Sequence, residues 1–369
     1  MQTAASEAQV SARVVPETMS AAVYTGRSTV SVEEVPTPQI GIGEILVRVE
    51  ACGICHTDLK KIEYDLLAPP RIYGHEIAGV VAQTGAGIHD FAVGDRVVVF
   101  HHIPCMTCFY CRRKVYAQCP TYKKVGVTAG YEPAGGGFAQ YVRVMDWIVR
   151  RGVEKIPEDV SFERACFVEP VNTCLKAVVQ CDPRKGDTVL VVGQGPIGLL
   201  FTMLLRRTGA KIYATDTIER RLALSRRCGA IQAWNPRKKD VVSQIGDLTE
   251  GRGADIVIVA ASASGLVEHA IACSRPGSRI LLFAQTSDKE RIELSGASIC
   301  MGERTIFGCY SASVDLQKES AGLVFSGEIS VEDLISHRLP LVKISSGFEM
   351  ALHPDEQSLK IIVQPQRCS

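Results

Sequence analysis

Between residue 20 and about residue 165 the apolar positions fall into short runs rich in Val and Ile. The runs at 20–24, 44–50, 77–83 and 95–100 are parted by Gly and Asp turns, and this spacing predicts β-strands. Gly135-Gly136-Gly137 precedes a further expected strand at 138–144. Past Pro170 the texture changes. An apolar run at 188–192 leads into helical periodicity at 197–208, and β-branched runs at 211–215 and 255–260 are each followed by a helical stretch. One more strand is expected at 279–284. Strands alternating with helices at this interval predict βαβ units and a parallel sheet. From about residue 310 no further βαβ signal appears, and the chain closes with a short strand at 360–363.

The pattern divides the chain into a polar extension (1–18) expected to be disordered, a β-rich domain (19–168), an α/β domain (169–310) and a return to the first domain (311–369). A length of 369 residues agrees with two domains at roughly 150 residues each. Composition narrows the function. The chain is 46% hydrophobic and 22% charged, ordinary for a soluble globular protein. Lys+Arg 41 against Asp+Glu 40 leaves +1, which argues against a nucleic-acid partner. The longest apolar stretch, 189–205, is broken by Gly193, Gln194, Gly195, Pro196 and Gly198, so no membrane partner is expected. Residues 1–17 lack the apolar centre of a secretory signal. Fourteen cysteines include four within residues 105–119, a clustering that favours thiolates on a metal in a reducing, cytoplasmic compartment.

Gly193-Gln194-Gly195-Pro196-Ile197-Gly198 fits G-x-G-x-x-G between an expected strand and an expected helix. The first glycine permits the turn, the second admits a pyrophosphate, and the third lets helix pack on strand. Pro196 suits a first helical turn, where no N–H is missed. Asp216 lies 18 residues beyond Gly198, where a carboxylate accepts from both ribose hydroxyls and repels a 2′-phosphate. NAD is therefore favoured over NADP, with Arg220 and Arg221 close enough to soften that preference.

Cys105-x2-Cys108-x2-Cys111-x7-Cys119 offers four soft ligands for a closed tetrahedral zinc that braces its loop. An iron–sulfur cluster is the alternative, although the seven-residue gap departs from the three-residue ferredoxin spacing. A second, dispersed set comprises Cys55-His56-Thr57-Asp58, Gly74-His75-Glu76 and Glu169-Pro170. Cys55, His75 and a carboxylate supply the S, N and O donors of a catalytic zinc; singly, each also reads as an ordinary core or helix-terminal residue.

Taken together these motifs resemble the zinc-containing branch of the medium-chain dehydrogenase/reductase family. The match includes Cys52-Gly53-Ile54-Cys55-His56-Thr57-Asp58, Gly74-His75-Glu76-x2-Gly79-x5-Gly85-x2-Ile88, Val93-Gly94-Asp95-Arg96-Val97, Gly136-Gly137-Phe138-Ala139, the four-cysteine lobe and the glycine turn. It runs from about Met19 to Val363. The resemblance implies a GroES-like β-rich catalytic domain interrupted by a Rossmann coenzyme domain with a doubly wound parallel sheet. It implies two zinc ions per chain, one structural and one catalytic. Cys55 and His75 would ligate the catalytic ion, with Glu169 in the position where sorbitol- and threonine-dehydrogenase-like members carry glutamate, and Glu76 as an exchanging ligand. Asp58 would orient His75. Thr57 would take the alcohol's proton first; Lys60 stands where the next relay residue is often His, leaving His56 or the nicotinamide ribose to continue it. Thr173 is the expected nicotinamide contact, beside the coenzyme residues Gly193, Gly195, Pro196, Ile197, Gly198, Asp216 and Arg221.

The implied reaction moves hydride between NAD and a polyol, sugar or other secondary alcohol. A threonine-type β-hydroxy amino acid dehydrogenase and a nucleotide-binding protein without turnover are the alternatives. The tail motif Ser336-His337-Arg338-Leu339-Pro340-Leu341 looks like sorbitol-dehydrogenase-like members, but Gly308-Cys309-Tyr310 stands where sorbitol dehydrogenases proper carry a cleft arginine. His101 and His102 are candidates for the pocket wall. A homo-oligomer, dimer or tetramer, is expected through 279–284 and 303–310.

Overall fold

The computed structural model describes residues 14–122, 135–284 and 291–367. Two compact units emerge: Met1–Phe167 with His337–Leu352 and Ile361–Ser369, and Val168–Ser336 with His353–Lys360. Most of the expected extension, 1–13, lies outside the described residues; the first strand already starts at Thr18.

In the first unit, strand Ile45–Gly53 runs antiparallel between Glu76–Thr84 and the chain's last strand, Lys360–Gln364. Tyr141–Val144 also pairs with it. The β-branched and small residues of these strands alternate into a dry core that includes Ile45, Val47, Val49, Ala51 and Ile77. The strand expected at 138–144 is shorter, because the Phe138 N–H turns to Tyr73 O and the Gln140 N–H to Ser20 O. That detour ties the glycine-rich segment to the loop carrying His75: the Gly137 N–H donates to Gly74 O at 2.9 Å.

The second unit holds a six-stranded, fully parallel sheet. Its spatial order is Gln232–Trp234, Lys211–Thr215, Thr188–Val192, Ala254–Val259, Ser274–Leu282 and Thr305–Gly308. In chain order this is 3-2-1-4-5-6, the doubly wound arrangement whose reversal falls between the first and fourth strands. The uninterrupted burial of Thr188–Val192 matches a central strand covered on both faces.

The tail differs from the expected division. The expected return to the first domain starts at residue 311, but 311–336 belong to the second unit. The physical reason is Asn172 on helix Val168–Cys181, wholly buried. Its carboxamide accepts from the Ser313 N–H at 2.8 Å and donates to Ser313 O at 3.0 Å and Ser320 Oγ at 3.3 Å. Breaking such a buried amide bracket costs on the order of 1–3 kcal/mol, so the segment stays with the helix it clasps.

Candidate active site

Cys55 is the N-cap of helix His56–Glu63, and the Asp58 N–H donates to Cys55 O in the first turn. An acid in that turn is favoured by the helix dipole. Here it is also wholly buried and directed at a histidine: Asp58 Oδ1 lies 3.0 Å from His75 Nδ1. This leaves Nε2 of His75 as the nitrogen open to a metal. The donor atoms of Cys55, His75 and Glu76 all lie within 4.8 Å of one another. Gly53 makes room for the carboxylate, since a Cβ there would stand 1.9 Å from Glu76 Oε2. One thiolate, one imidazole and one carboxylate, held close with a carboxylate behind the imidazole, form a donor set that suits zinc with a position left for an exogenous ligand.

Negative groups gather around His75 in this cluster. Burial pushes the Asp58 carboxyl up, but the imidazole of His75 outweighs it and holds Asp58 below the usual carboxylate range. Burial by itself would discharge His75; the charges of Asp58 and Cys55 reverse that and raise it well above its ordinary value. His101, also buried, meets the His75 ring edge-on with centroids 5.1 Å apart. Burial, then the charges of His102, His75 and Lys61, keep His101 well below the usual histidine range, so this ring is neutral.

The four-cysteine lobe is assembled as its spacing implies. Cys105, Cys108, Cys111 and Cys119 have their sulfurs within 4.8 Å of one another, with Cys105–Cys111 at 3.9 Å and Cys108–Cys111 at 3.5 Å. A tetrahedron with zinc–sulfur bonds of about 2.3 Å has edges of about 3.8 Å, so the sulfurs already match a zinc cradle. They are far from disulfide distance. The Cys108 N–H points at Cys105 Sγ and the Cys105 N–H at Cys119 Sγ, each at 3.4 Å. The N–H and hydroxyl of Thr107 and the Cys108 N–H draw the Cys105 thiol down to about 5, which favours the thiolate form a metal takes.

In the second unit Gly193 closes the first parallel strand, its N–H donating to Thr215 O at 2.8 Å, and Gly195 caps helix Pro196–Arg206. The third glycine is obligatory. A Cβ on Gly198 would sit 1.9 Å from Gly193 O. Asp216 accepts from the Gln194 N–H at 2.7 Å and the Ile218 N–H at 2.9 Å, so the acid is pinned to the turn it serves. A carboxylate has about four lone-pair positions, and two remain for a ribose diol. Ile197 and Gly198 lie in the first helical turn, whose N–H groups find no partner within the helix.

The remaining expected residues fall as follows. Glu169 is the second residue of helix Val168–Cys181, buried, and belongs to the second unit, whereas Glu76 is the carboxylate clustered with Cys55 and His75. Thr57 is half-buried and His56 exposed on the helix after Cys55, and Lys60 is half-buried there. Thr173 Oγ directs its proton to the helix carbonyls of Glu169 and Pro170, at 3.0 and 3.1 Å, so it faces any ligand as an acceptor. Arg221 stands 3.9 Å from Asp216 Oδ2 and donates to Ser358 O, while Arg220 donates to Gln357 O. Both arginines are thus engaged by 353–360, a segment without a motif of its own. Its local signal is Asp355-Glu356-Gln357-Ser358: Asp355 Oδ1 accepts from the Gln357 and Ser358 N–H groups, an Asx turn readable from the residue types. Gln194, the second residue of the glycine turn, has a structural role of its own. Fully buried, it donates to Gly193 O and accepts from Thr202 Oγ, stiffening the turn.

Residues 41–157 match the alcohol dehydrogenase GroES-like domain, and residues 196–324 match the zinc-binding dehydrogenase domain. Sorbitol dehydrogenase of Bacillus subtilis is 30% identical over 361 residues, covering 96% of this chain and 99% of that protein. L-threonine 3-dehydrogenase of Pyrococcus furiosus is 31% identical over 325 residues, covering 86% and 90%. The crystal structure of a zinc-binding dehydrogenase from Sinorhizobium meliloti, bound to NADP, superposes with a TM-score of 0.86 at 28% identity and covers 95% of this chain and all of that one. Near-complete coverage at this identity, together with two domain matches on the two units, decides the lineage. The chain belongs to the zinc-containing medium-chain alcohol dehydrogenase family.

Proposed function

We propose that this protein transfers hydride between a polyol or other secondary alcohol and NAD, with a catalytic zinc at Cys55, His75 and Glu76 and a structural zinc at Cys105, Cys108, Cys111 and Cys119. The observation that carries the reading is the convergence of three unlike donors with Asp58 behind the imidazole. A zinc ion bound there supplies Lewis acidity that lowers the pKa of an alcohol. Asp58 fixes the His75 tautomer, and Thr57 receives the alcohol's proton. Glu169 would be the alternative carboxylate for that zinc. The turn from Gly193 to Gly198 and the carboxylate of Asp216 hold the coenzyme, with Thr173 accepting from the nicotinamide amide. Asp216 is the reason for preferring NAD, since a 2′-phosphate would meet its negative charge.

A polyol is preferred to threonine because the sorbitol dehydrogenase match spans 96% of this chain against 86% for the threonine enzyme. A homo-oligomer, dimer or tetramer, is supported by strand Thr305–Gly308, which ends the six-stranded sheet and pairs on one side with 279–282. No described helix is long and apolar enough to cross a membrane. All thirteen cysteines among the described residues are unbridged, in keeping with a reducing cytoplasm.

The test is the initial rate of NADH appearance against linear polyols, cyclitols, aldoses, simple secondary alcohols and threonine. A polyol or secondary alcohol should give the highest kcat/KM. Threonine in first place would replace the polyol assignment, and silence across the set with zinc at both sites would leave a protein that binds coenzyme without turnover. Thr57→Ala should cut kcat at least tenfold, the usual scale for a lost proton-transfer group, with zinc content unchanged. Wild-type turnover in that variant removes Thr57 from the relay.

A further inference from the structure

The two metal groups of the first unit are joined by a row of rings. His75 meets His101 with centroids 5.1 Å apart at 61°, and His101 meets His102 at 4.6 Å and 79°. His102 in turn lies nearly parallel to Tyr122, at 4.7 Å and 20°. Tyr122 is buried and tied to the four-cysteine lobe, its N–H donating to Cys119 O at 3.0 Å. His102 joins the lobe by a second route, its backbone passing through Ile103 and Pro104 into Cys105. The His102–Tyr122 end of the row is thus anchored on two lobe cysteines, and the opposite end is the imidazole clustered with Cys55 and Glu76.

We propose that His102 and Tyr122 are positioning residues that transmit the order of the four-thiolate lobe to His75 through His101. Edge-to-face and stacked rings are directional contacts whose attraction exceeds that of their buried area alone, and they resist rotation of the ring they abut. Asp58 holds His75 at Nδ1 but leaves the imidazole able to rock about that hydrogen bond; His101 closes off that motion from the side. The four-cysteine site then has a second consequence beyond bracing its own loop: it sets the orientation of a catalytic-site ligand. This inference rests on the proposed metal assignment, and its test reads metal binding rather than turnover.

Holoprotein is challenged with increasing concentrations of a chromophoric chelator, and zinc release is followed, with Cys55→Ser marking which phase belongs to the single-cysteine site. In Tyr122→Leu and His102→Ala the affinity of that site should fall about tenfold, the lower end of the 10–100-fold cost of removing groups behind a ligand. The lobe phase should stay as in wild type. His102→Phe, which keeps a flat ring in the row, should restore wild-type affinity. Cobalt exchanged into the same site should show shifted d–d bands in the two disruptive variants and not in His102→Phe. Wild-type affinity and bands in both disruptive variants overturn the coupling. So does a loss confined to the lobe zinc, or a failure of His102→Phe to rescue. A wild-type protein with a single zinc, and none released in the Cys55-dependent phase, would instead refute the metal assignment beneath it.

Discussion

His75→Ala should reduce zinc from two to one per chain and lower kcat/KM by at least about a thousandfold. The residue supplies a nitrogen to the cluster with Cys55 and Glu76, and its truncation leaves two protein donors where zinc sites hold three or four. Loss of Lewis-acid stabilisation amounts to several kcal/mol; about 4 kcal/mol corresponds to roughly a thousandfold in rate. The lobe sulfurs, at their own 3.5–3.9 Å spacings, should keep their metal. Asp58→Asn provides the graded comparison. It retains the shape but removes the charge facing His75 Nδ1, and should cost about 10–100-fold in metal affinity or activity. Metal analysis of the purified variants beside steady-state kinetics checks both. His75→Ala retaining two zinc ions and turnover within tenfold of wild type would defeat the assignment of the catalytic group.

Asp216→Ser should raise KM for NAD about thirtyfold and erase most of the discrimination against NADP. Each charge-assisted hydrogen bond contributes about 1.5–3 kcal/mol, and about 2 kcal/mol is a thirtyfold change in affinity. The carboxylate also accepts from the Gln194 and Ile218 N–H groups, so the serine variant loosens the turn as well as the ribose contact. Asp216→Asn separates the two effects. The amide keeps one acceptor for the turn, removes the negative charge, and should relieve repulsion of a 2′-phosphate with a smaller rise in KM for NAD. Removing the acid also frees Arg221, 3.9 Å away, to meet that phosphate. Initial rates with both coenzymes decide it: an NAD/NADP ratio equal to wild type in both variants would show that selectivity resides elsewhere.

Much of this molecule can be read from neighbouring residues in the chain. The glycine turn, the lobe spacing and the alternation past Pro170 depend on backbone conformation and on ligands a few residues apart. Strands Thr188–Val192 and Lys211–Thr215 accordingly fall where the pattern placed them. Boundaries blurred where a strand's pairing partner is non-local: Ser274–Leu282 begins earlier than its apolar run, because Ser274 pairs with Ala254 ahead of an irregularity that skips Pro276 and Gly277, residues with no strand signal of their own. The Asn172 bracket, which moved 311–336 into the coenzyme unit, joins residues 141 positions apart.

Residue types at Cys55, His75 and Glu76 identified candidates, and each alone was ambiguous. Their convergence depends on strand Glu76–Thr84 pairing with Ile45–Gly53 in the register that sets Gly53 opposite Glu76, so that a missing Cβ leaves space for a carboxylate. The same holds for Arg221: its place beside Asp216 follows from near neighbours in the chain, but its bond to Ser358 O joins residues 137 positions apart. Periodicity and motif spacing are local properties that survive in a bare string of residues. Which side chain meets which across tens of residues is a property of register and packing, and that exists once the chain has closed on itself.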